Sequence, residues 1–125
     1  MKVRYFTVEE ATAALEEIEP LMGELLAYRA KVARASRGVS ENWEDLHLGF
    51  GGPLATQLTQ DFIVIESLLQ RIKEYGCVVK SLEAGLVDFL ANVNGRDVYL
   101  CWRYGEDGIN YYHDLNSGFR GRTPL

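Results

Sequence analysis

The chain has 125 residues, of which 47% are hydrophobic and 25% are charged, and its formal net charge at pH 7 is −5. This length fits one domain with a buried core, and this composition excludes extensive disorder. The negative balance opposes a general role in binding nucleic acid or anionic membranes, because both are polyanionic.

The N-terminus and the cysteines indicate the compartment. The opening MKVRYF lacks the apolar core of a secretory signal, and no apolar run approaches the roughly 20 residues that span a bilayer. Cys77 and Cys101 lie in apolar, strand-like runs without metal-ligand spacing, so we expect two buried, reduced thiols. Together these features predict a cytoplasmic protein.

A first helix is predicted over residues 7–37. Thr7 and Glu10 have the pattern of a capping box at its start, and Gly38 suits its end. Pro20 interrupts the helix, but the apolar pattern continues in phase across it, so we expect a kink; a second helix beginning near Pro20 is the alternative. That pattern has the three-and-four spacing of a helix–helix seam, at Ala11, Ala14, Ile18, Leu21, Leu25, Tyr28, Val32 and Ala35.

Residues 38–52 form a long connection, and a second helix is predicted over 53–75. Pro53 suits a first helical turn, and Gly76 ends the pattern. The apolar stripe of this helix is wider than a two-helix seam requires. We therefore expect it to contact the first helix on one side and the sheet, or a second subunit, on the other.

From Cys77 the apolar period changes to two, which predicts an antiparallel sheet of three to four strands over residues 77–114. Asn94-Gly95 is a strong signal for a two-residue hairpin turn. Residues 115–125 form a C-terminal tail. The expected fold is α+β, with a long antiparallel helical hairpin packed on this small sheet.

The Asn94-Gly95 turn also predicts the pairing of its two strands. Phe89 should lie opposite Leu100 on an apolar face that packs on the helices, and Asp88 opposite Cys101 on the second face. A four-residue loop at 105–108 would then pair Cys101 with Tyr112 and place Tyr112 and Asp114 on that second face. A change of one residue in this loop places His113 there instead, and the sequence leaves both registers open.

The C-terminal third concentrates the side chains that suit ligand binding. Arginine forks and aromatic faces recognise carboxylates, phosphates or acidic peptides. The alternative is structural, with the arginines paired to nearby acids and the aromatics in the core. The candidate ligand-binding residues are Asp88, Trp102, Arg103, Glu106, Tyr112, His113, Asp114, Arg120 and Arg122.

Catalytic and metal chemistry receive little support. His113 and Asp114 are adjacent in a predicted strand and so point to opposite faces. A metal site from His47, His113 and Glu106 lacks any ligand motif, so neither a metal nor another cofactor is expected. Cys101, near Asp88 or His113, is the one candidate nucleophile, but a thiol buried in a strand is more often inert. We therefore expect no catalytic residues.

Several segments resemble one known family. They are VYLCWRYGE at 98–106, YHDL at 112–115 and GFRGRTPL at 118–125, together with YFTVEEA at 5–11, GCVVK at 76–80 and GLVDF at 85–89. Together they resemble the prokaryotic family called domain of unknown function 2203 over nearly the whole chain. The resemblance implies no activity, because none is assigned to that family.

Two functional hypotheses follow. The first is a non-enzymatic interaction or regulatory module that assembles through its helical hairpin, as a homodimer or with an unknown protein. The alternative is a domain that binds an anionic small ligand, or acts on one as a minor enzyme, at the sheet and tail surface. No membrane partner is expected. A nucleic-acid partner is disfavoured, because the basic residues within 29–37 lie at one end of the first helix, where their interaction with the helix dipole already explains them.

Overall fold

The computed structural model describes residues 4–41 and 53–125, and the side chains of 4–36 and 55–125. Within these ranges the fold is α+β. The helices are α1 (Val8–Glu41) and α2 (Pro53–Lys73). The strands are β1 (Val78–Ser81), β2 (Leu86–Val93), β3 (Arg96–Arg103), β4 (Tyr111–Asp114) and β5 (Thr123–Pro124), with a 3-10 turn at Phe119–Gly121.

Helix α1 begins with the predicted capping box. The Glu10 amide donates to the Thr7 hydroxyl, the Thr7 amide donates to the Glu10 carboxylate, and both distances are 3.0 Å. The helix is continuous through Pro20, so the alternative of a second helix beginning there is wrong. It ends at Glu41 and not at residue 37, because one glycine inside a helix costs only about 1 kcal/mol and does not stop it.

Helix α2 ends at Lys73, two residues before the predicted end at 75, because Gly76 turns the chain with φ of 93°. Two polar contacts join it and the turn after it to α1: Lys31 and Asp61 form an ion pair at 3.3 Å, and the Tyr75 hydroxyl donates to Glu17. Residues 42–52 of the predicted connection lie outside the described residues. In the described part of the chain, neither helix has the length and apolarity to cross a membrane.

The sheet has five strands in the order β1-β2-β3-β4-β5, each antiparallel to its neighbours. The prediction of three to four strands was therefore too low. The additional strand, β5, pairs with β4 and lies in the segment predicted as a tail. Two residues, one of them a proline, contain no alternating pattern that sequence reasoning can recognise, and proline is tolerated at a sheet edge.

The register of β2 and β3 is the predicted one. Phe89 lies opposite Leu100 and Asp88 opposite Cys101, around a turn in which Asn94 and Gly95 both have positive φ. Phe89 and Leu100 are fully buried in one apolar core with residues of both helices, such as Ile18 and Ile72. The apolar face of the sheet therefore belongs to the core, as expected.

The register of β3 and β4 differs by one residue from the one expected for a four-residue loop. Cys101 lies opposite Tyr111, and Tyr99 opposite His113. The turn itself uses the backbone of Arg103: its amide donates to the Glu106 carboxylate, and its carbonyl accepts from the Glu106 amide. Strand β3 therefore ends at Arg103, and His113 lies on the second face.

Candidate functional site

Three side chains converge on the sheet face opposite the core, hereafter the outer face. Asp88, Cys101 and His113 come from β2, β3 and β4, and their exposed fractions are 2%, 1% and 2%. One ligand-type atom from each lies within 4.8 Å of the others. We call these three residues the outer cluster. Its burial is unusual, because a sheet face away from the core is ordinarily solvated.

The hydrogen bonds of His113 determine where its protons lie. Its Nδ1 is 2.8 Å from the carbonyl oxygen of Asp114, and its Nε2 is 3.1 Å from Oδ2 of Asp88. A carbonyl oxygen only accepts hydrogen bonds, so Nδ1 carries a proton. The Nε2 atom is therefore the one directed at the rest of the outer cluster.

The Cys101 thiol is held in its protonated form. Burial, reinforced by the neighbouring Asp88 carboxylate, raises the pKa of Cys101 to about 12. The thiolate is the reactive form of cysteine, so this thiol is a weak nucleophile near neutral pH.

An open pocket lies between the outer cluster and the C-terminal segment. Its volume is about 250 Å³, and we call it the tail pocket. It is lined by Lys80, Leu86, Asp88, Cys101 and His113 from the sheet, and by Leu115, Asn116, Gly118 and Phe119 from the segment after β4. Polar groups on one side and an aromatic ring on the other are the usual composition of a small-molecule site.

Lys80 reaches this pocket from an irregular position in β1. The pairing of β1 with β2 shifts register between Val79 and Ser81, so Lys80 is the extra residue of a bulge. Its ammonium lies 5.0 Å from the centre of the Tyr99 ring on the outer face. Bulges re-aim side chains, and this one contributes a cation to the lining of the tail pocket.

A second polar contact holds the tail in place. Nη1 of Arg122 lies 2.9 Å from both carboxylate oxygens of Glu106. The same guanidinium lies 4.1 Å from the centres of the Tyr111 and Phe119 rings. Arg122 thus joins the tail to the turn after β3 and orders Phe119, which lines the tail pocket.

The chain matches a family model described as an uncharacterized conserved protein, DUF2203, over residues 4–125. The chain belongs to this family. Comparison with curated proteins and with solved structures gives no significant match. Because the family description carries no activity, the function of this DUF2203 chain is inferred from its own residues.

Some of the predicted site residues of the DUF2203 chain line the tail pocket or lie in or near the tail, and the others lie elsewhere. Asp88 and His113 line the tail pocket. Arg103 lies 5.8 Å from the Phe119 ring, and Glu106 binds Arg122, so these residues contact or order the tail. Arg120 is exposed in the 3-10 turn.

The remaining predicted residues lie elsewhere. Trp102 is fully buried in the core and donates its indole N–H to the Glu106 carbonyl at 3.2 Å. Of the two registers that the sequence left open, the structure has the one that turns Tyr112 and Asp114 away from the second face. Tyr112 packs against the core, and Asp114 pairs with Arg96. His47 lies outside the described residues.

Sequence reasoning did not place Lys80 in the site. A bulge carries no residue pattern that reveals it, although the apolar run at 77–79 was sufficient to predict the strand. Neither Cys101 nor Phe119 was among the predicted ligand-binding residues. The signal for their convergence was the alternative register for β4, which the sequence left open.

Proposed function

We propose that this chain is a small-ligand-binding domain whose tail pocket takes a small anion, either a carboxylate or a phosphate. The observation that carries the proposal is the position of Lys80 beside the buried Asp88–His113 pair. Within the residues whose side chains are described, Lys80 forms no ion pair, whereas the Asp88 carboxylate already has His113. The ammonium charge is therefore left for a ligand.

The surroundings of the tail pocket support an anion over a cation. The chain carries a net charge of −5, yet Arg103 and Arg122 both lie near the ring of Phe119, which lines the pocket. Arg122 is neutralised by Glu106, but Arg103 has no acidic partner within 4.0 Å among the described side chains. In the part of the chain that the structure describes, Lys80 and Arg103 are thus two cations that remain without an acidic partner near Phe119 and the pocket lining. Binding without catalysis agrees with the protonated Cys101 thiol.

Calorimetric titration of the full chain with inorganic phosphate, pyrophosphate, succinate and citrate tests this proposal. We expect at least one of them to bind, and the Lys80→Gln variant to bind it about tenfold or more weakly, since a hydrogen bond to a charged group contributes roughly 1.5–3 kcal/mol. Lys73→Gln is the matched control, because Lys73 is an exposed lysine at the end of α2. Absence of binding by all four anions, or equal affinity in the two variants, would reject the proposal.

We also propose that the two helices form an antiparallel hairpin and that a second copy of the chain binds to it. Glu17 contacts Tyr75 and Lys31 contacts Asp61, so an early position in α1 meets the turn after α2, whereas a later position in α1 meets the first half of α2. This ordering favours an antiparallel pair. Phe62 and Ile63 of α2 are 54% and 61% exposed. Adjacent apolar side chains suit a self-complementary interface, the commonest kind in homo-oligomers.

Size-exclusion chromatography with light scattering tests the assembly. The wild type is expected to be dimeric, and the double variant Phe62→Ser, Ile63→Ser to be monomeric. Glu66→Ser, which changes another exposed residue of α2, serves as the control. A monomeric wild type at high concentration would remove this second proposal.

A cytoplasmic location is supported by the two free thiols, because reduced cysteines persist in reducing compartments.

A further inference from the structure

We infer that Asp88, Cys101 and His113 together bind one divalent transition-metal ion of the zinc class at the floor of the tail pocket. The three ligand atoms are the carboxylate of Asp88, Sγ of Cys101 and Nε2 of His113, all within 4.8 Å of one another. A small closure would bring them to the spacing of a tetrahedral site, in which each ligand lies about 2.0–2.3 Å from the ion. The inference concerns the same pocket but does not require the anion.

The scaffold under these ligands is rigid. Asp88 and Cys101 are directly opposite each other in β2 and β3, and His113 lies on the adjacent strand β4, two residues beyond the partner of Cys101. Ligands on three hydrogen-bonded strands are held in place by the sheet, which is the arrangement that gives a metal site its precision. None of the three is on a loop.

His113 is oriented as a metal-ligating histidine is. Its Nδ1–H donates to the Asp114 carbonyl at 2.8 Å, so Nε2 is the ring nitrogen directed at Asp88. Metal-bound histidines ordinarily donate their second ring N–H to a carbonyl or carboxylate, which determines the tautomer. An ion bound to both Nε2 and the Asp88 carboxylate would replace the direct contact that these two groups make at 3.1 Å.

Charge balance also favours the ion. Metal binding would release the Cys101 proton to solvent, and the resulting thiolate, the Asp88 carboxylate and one divalent cation then sum to zero, which suits three residues that are each at most 2% exposed. The competing interpretation is a buried imidazolium–carboxylate pair without metal, which gives the same contact between His113 and Asp88. In that arrangement the Cys101 thiol would hydrogen-bond to Asp88, whereas in the metal site it supplies the third ligand.

The ligand types select the class of metal. A sulfur and an imidazole nitrogen with one carboxylate suit zinc or cobalt, whereas magnesium and calcium prefer oxygen ligands throughout. Three protein ligands leave a fourth position open, as in zinc sites that bind an exogenous ligand. All three residues line the tail pocket, so a water molecule or a small anion has access to the ion.

Cobalt titration of the chelator-treated full chain tests the inference. One Co²⁺ per chain is expected, with a thiolate-to-cobalt charge-transfer band and the intense visible bands of tetrahedral cobalt. Zinc should displace the cobalt. The Cys101→Ala variant should lose the charge-transfer band and weaken zinc binding at least about 100-fold, more than the loss of an outer-shell partner causes. Cys77→Ala, which removes the other buried thiol, should leave both unchanged.

The wild-type stoichiometry is a measurement that does not depend on the folding of any variant. Absence of cobalt or zinc binding by the wild type, or full zinc affinity in a folded Cys101→Ala variant, would overturn the inference in favour of the imidazolium–carboxylate pair. The proposal of anion binding and the inference of metal binding at this pocket can each be rejected without the other. Lys80→Gln should weaken anion binding about tenfold or more and leave the cobalt spectrum of the anion-free protein intact, whereas failure of metal binding leaves the effect of Lys80 on anion affinity unchanged.

Discussion

Arg122 and Glu106 meet where the C-terminal tail crosses the turn after β3, with Nη1 2.9 Å from both carboxylate oxygens. The exposed fractions of the two side chains are only 15% and 22%. The Tyr111 and Phe119 rings flank the same guanidinium. This pair therefore connects the tail to the sheet and, through Phe119, shapes the tail pocket.

Replacing Arg122 tests that connection. We expect Arg122→Ala to lower the free energy of unfolding by about 1–3 kcal/mol, because it removes two charge-assisted hydrogen bonds and two ring contacts and leaves the Glu106 carboxylate without its cation. Urea unfolding followed by circular dichroism measures the loss. Arg120→Ala is the matched control and should change stability by less than about 0.5 kcal/mol, since Arg120 is exposed. Equal effects of the two variants would contradict the role assigned to Arg122.

Gly85 precedes β2 in a conformation that few other residues adopt. Its φ is +67°, and an added Cβ would lie 2.7 Å from Cβ of Tyr104. Because strain and contact act together, Gly85→Ala should destabilise the fold by about 1–3 kcal/mol. Gly108→Ala is the control, since nothing lies within 4 Å of an added Cβ there and its φ is not in the left-handed region. Thermal unfolding of both variants gives the comparison, and a neutral Gly85→Ala would show that the turn adapts.

Lys31 and Asp61 contact each other at 3.3 Å between α1 and α2, and Asp61 is only 3% exposed. A double-mutant cycle with Lys31→Met and Asp61→Asn should give a coupling energy of about 0.5–1 kcal/mol, the upper part of the range for partly exposed pairs. A cycle of Lys31→Met with Glu66→Gln should give none. A coupling energy of zero in the first cycle would remove one of the two contacts that support the antiparallel hairpin.

The parts of the fold that could be predicted depend on local signals. The capping box of Thr7 and Glu10, and the Asn94-Gly95 turn, act over a few residues, and each gave the correct local structure. The end of α1 was wrong because a single Gly38 is a weak stop signal when a helix is otherwise stable. The residue at which a helix ends depends on a balance of small energies, so the position of a helix end is predicted less accurately than the presence of the helix.

The outer cluster depends on choices that no local pattern reveals. In the turn before β4 the Glu106 carboxylate accepts a hydrogen bond from the Arg103 amide, and the register of β4 differs by one residue from the one expected for a four-residue loop. This shift of one residue decides whether His113 or Tyr112 lies on the same sheet face as Asp88. The bulge that presents Lys80 depends likewise on pairing between strands. The residues of the candidate site were thus visible in the sequence, but their convergence was not.

Cys77 makes the stability of the protein depend on pH in the alkaline range. Burial raises the pKa of its thiol to about 11, from an ordinary value of about 9.0, and the thiol donates a hydrogen bond to the Ile72 carbonyl at 3.4 Å. Below pH 9 the thiol is protonated in both the native and the unfolded chain, so it adds no pH dependence. Between about pH 9 and pH 11 the unfolded chain loses this proton while the native chain keeps it, so stability falls as the pH rises.

The expected loss from Cys77 over that interval is at most about 2–3 kcal/mol, since each pKa unit corresponds to about 1.4 kcal/mol. Urea unfolding at several values between pH 7 and pH 11 measures it, with Cys77→Ala as the comparison. The variant is expected to be less stable at pH 7, because it leaves a small cavity, but to lose less stability on going to pH 11. Lysine and tyrosine residues also ionise in this range, but they do so in both proteins and cancel in the difference. Parallel pH profiles for the two proteins would mean that the native Cys77 thiol ionises as readily as the unfolded one, against the burial that surrounds it.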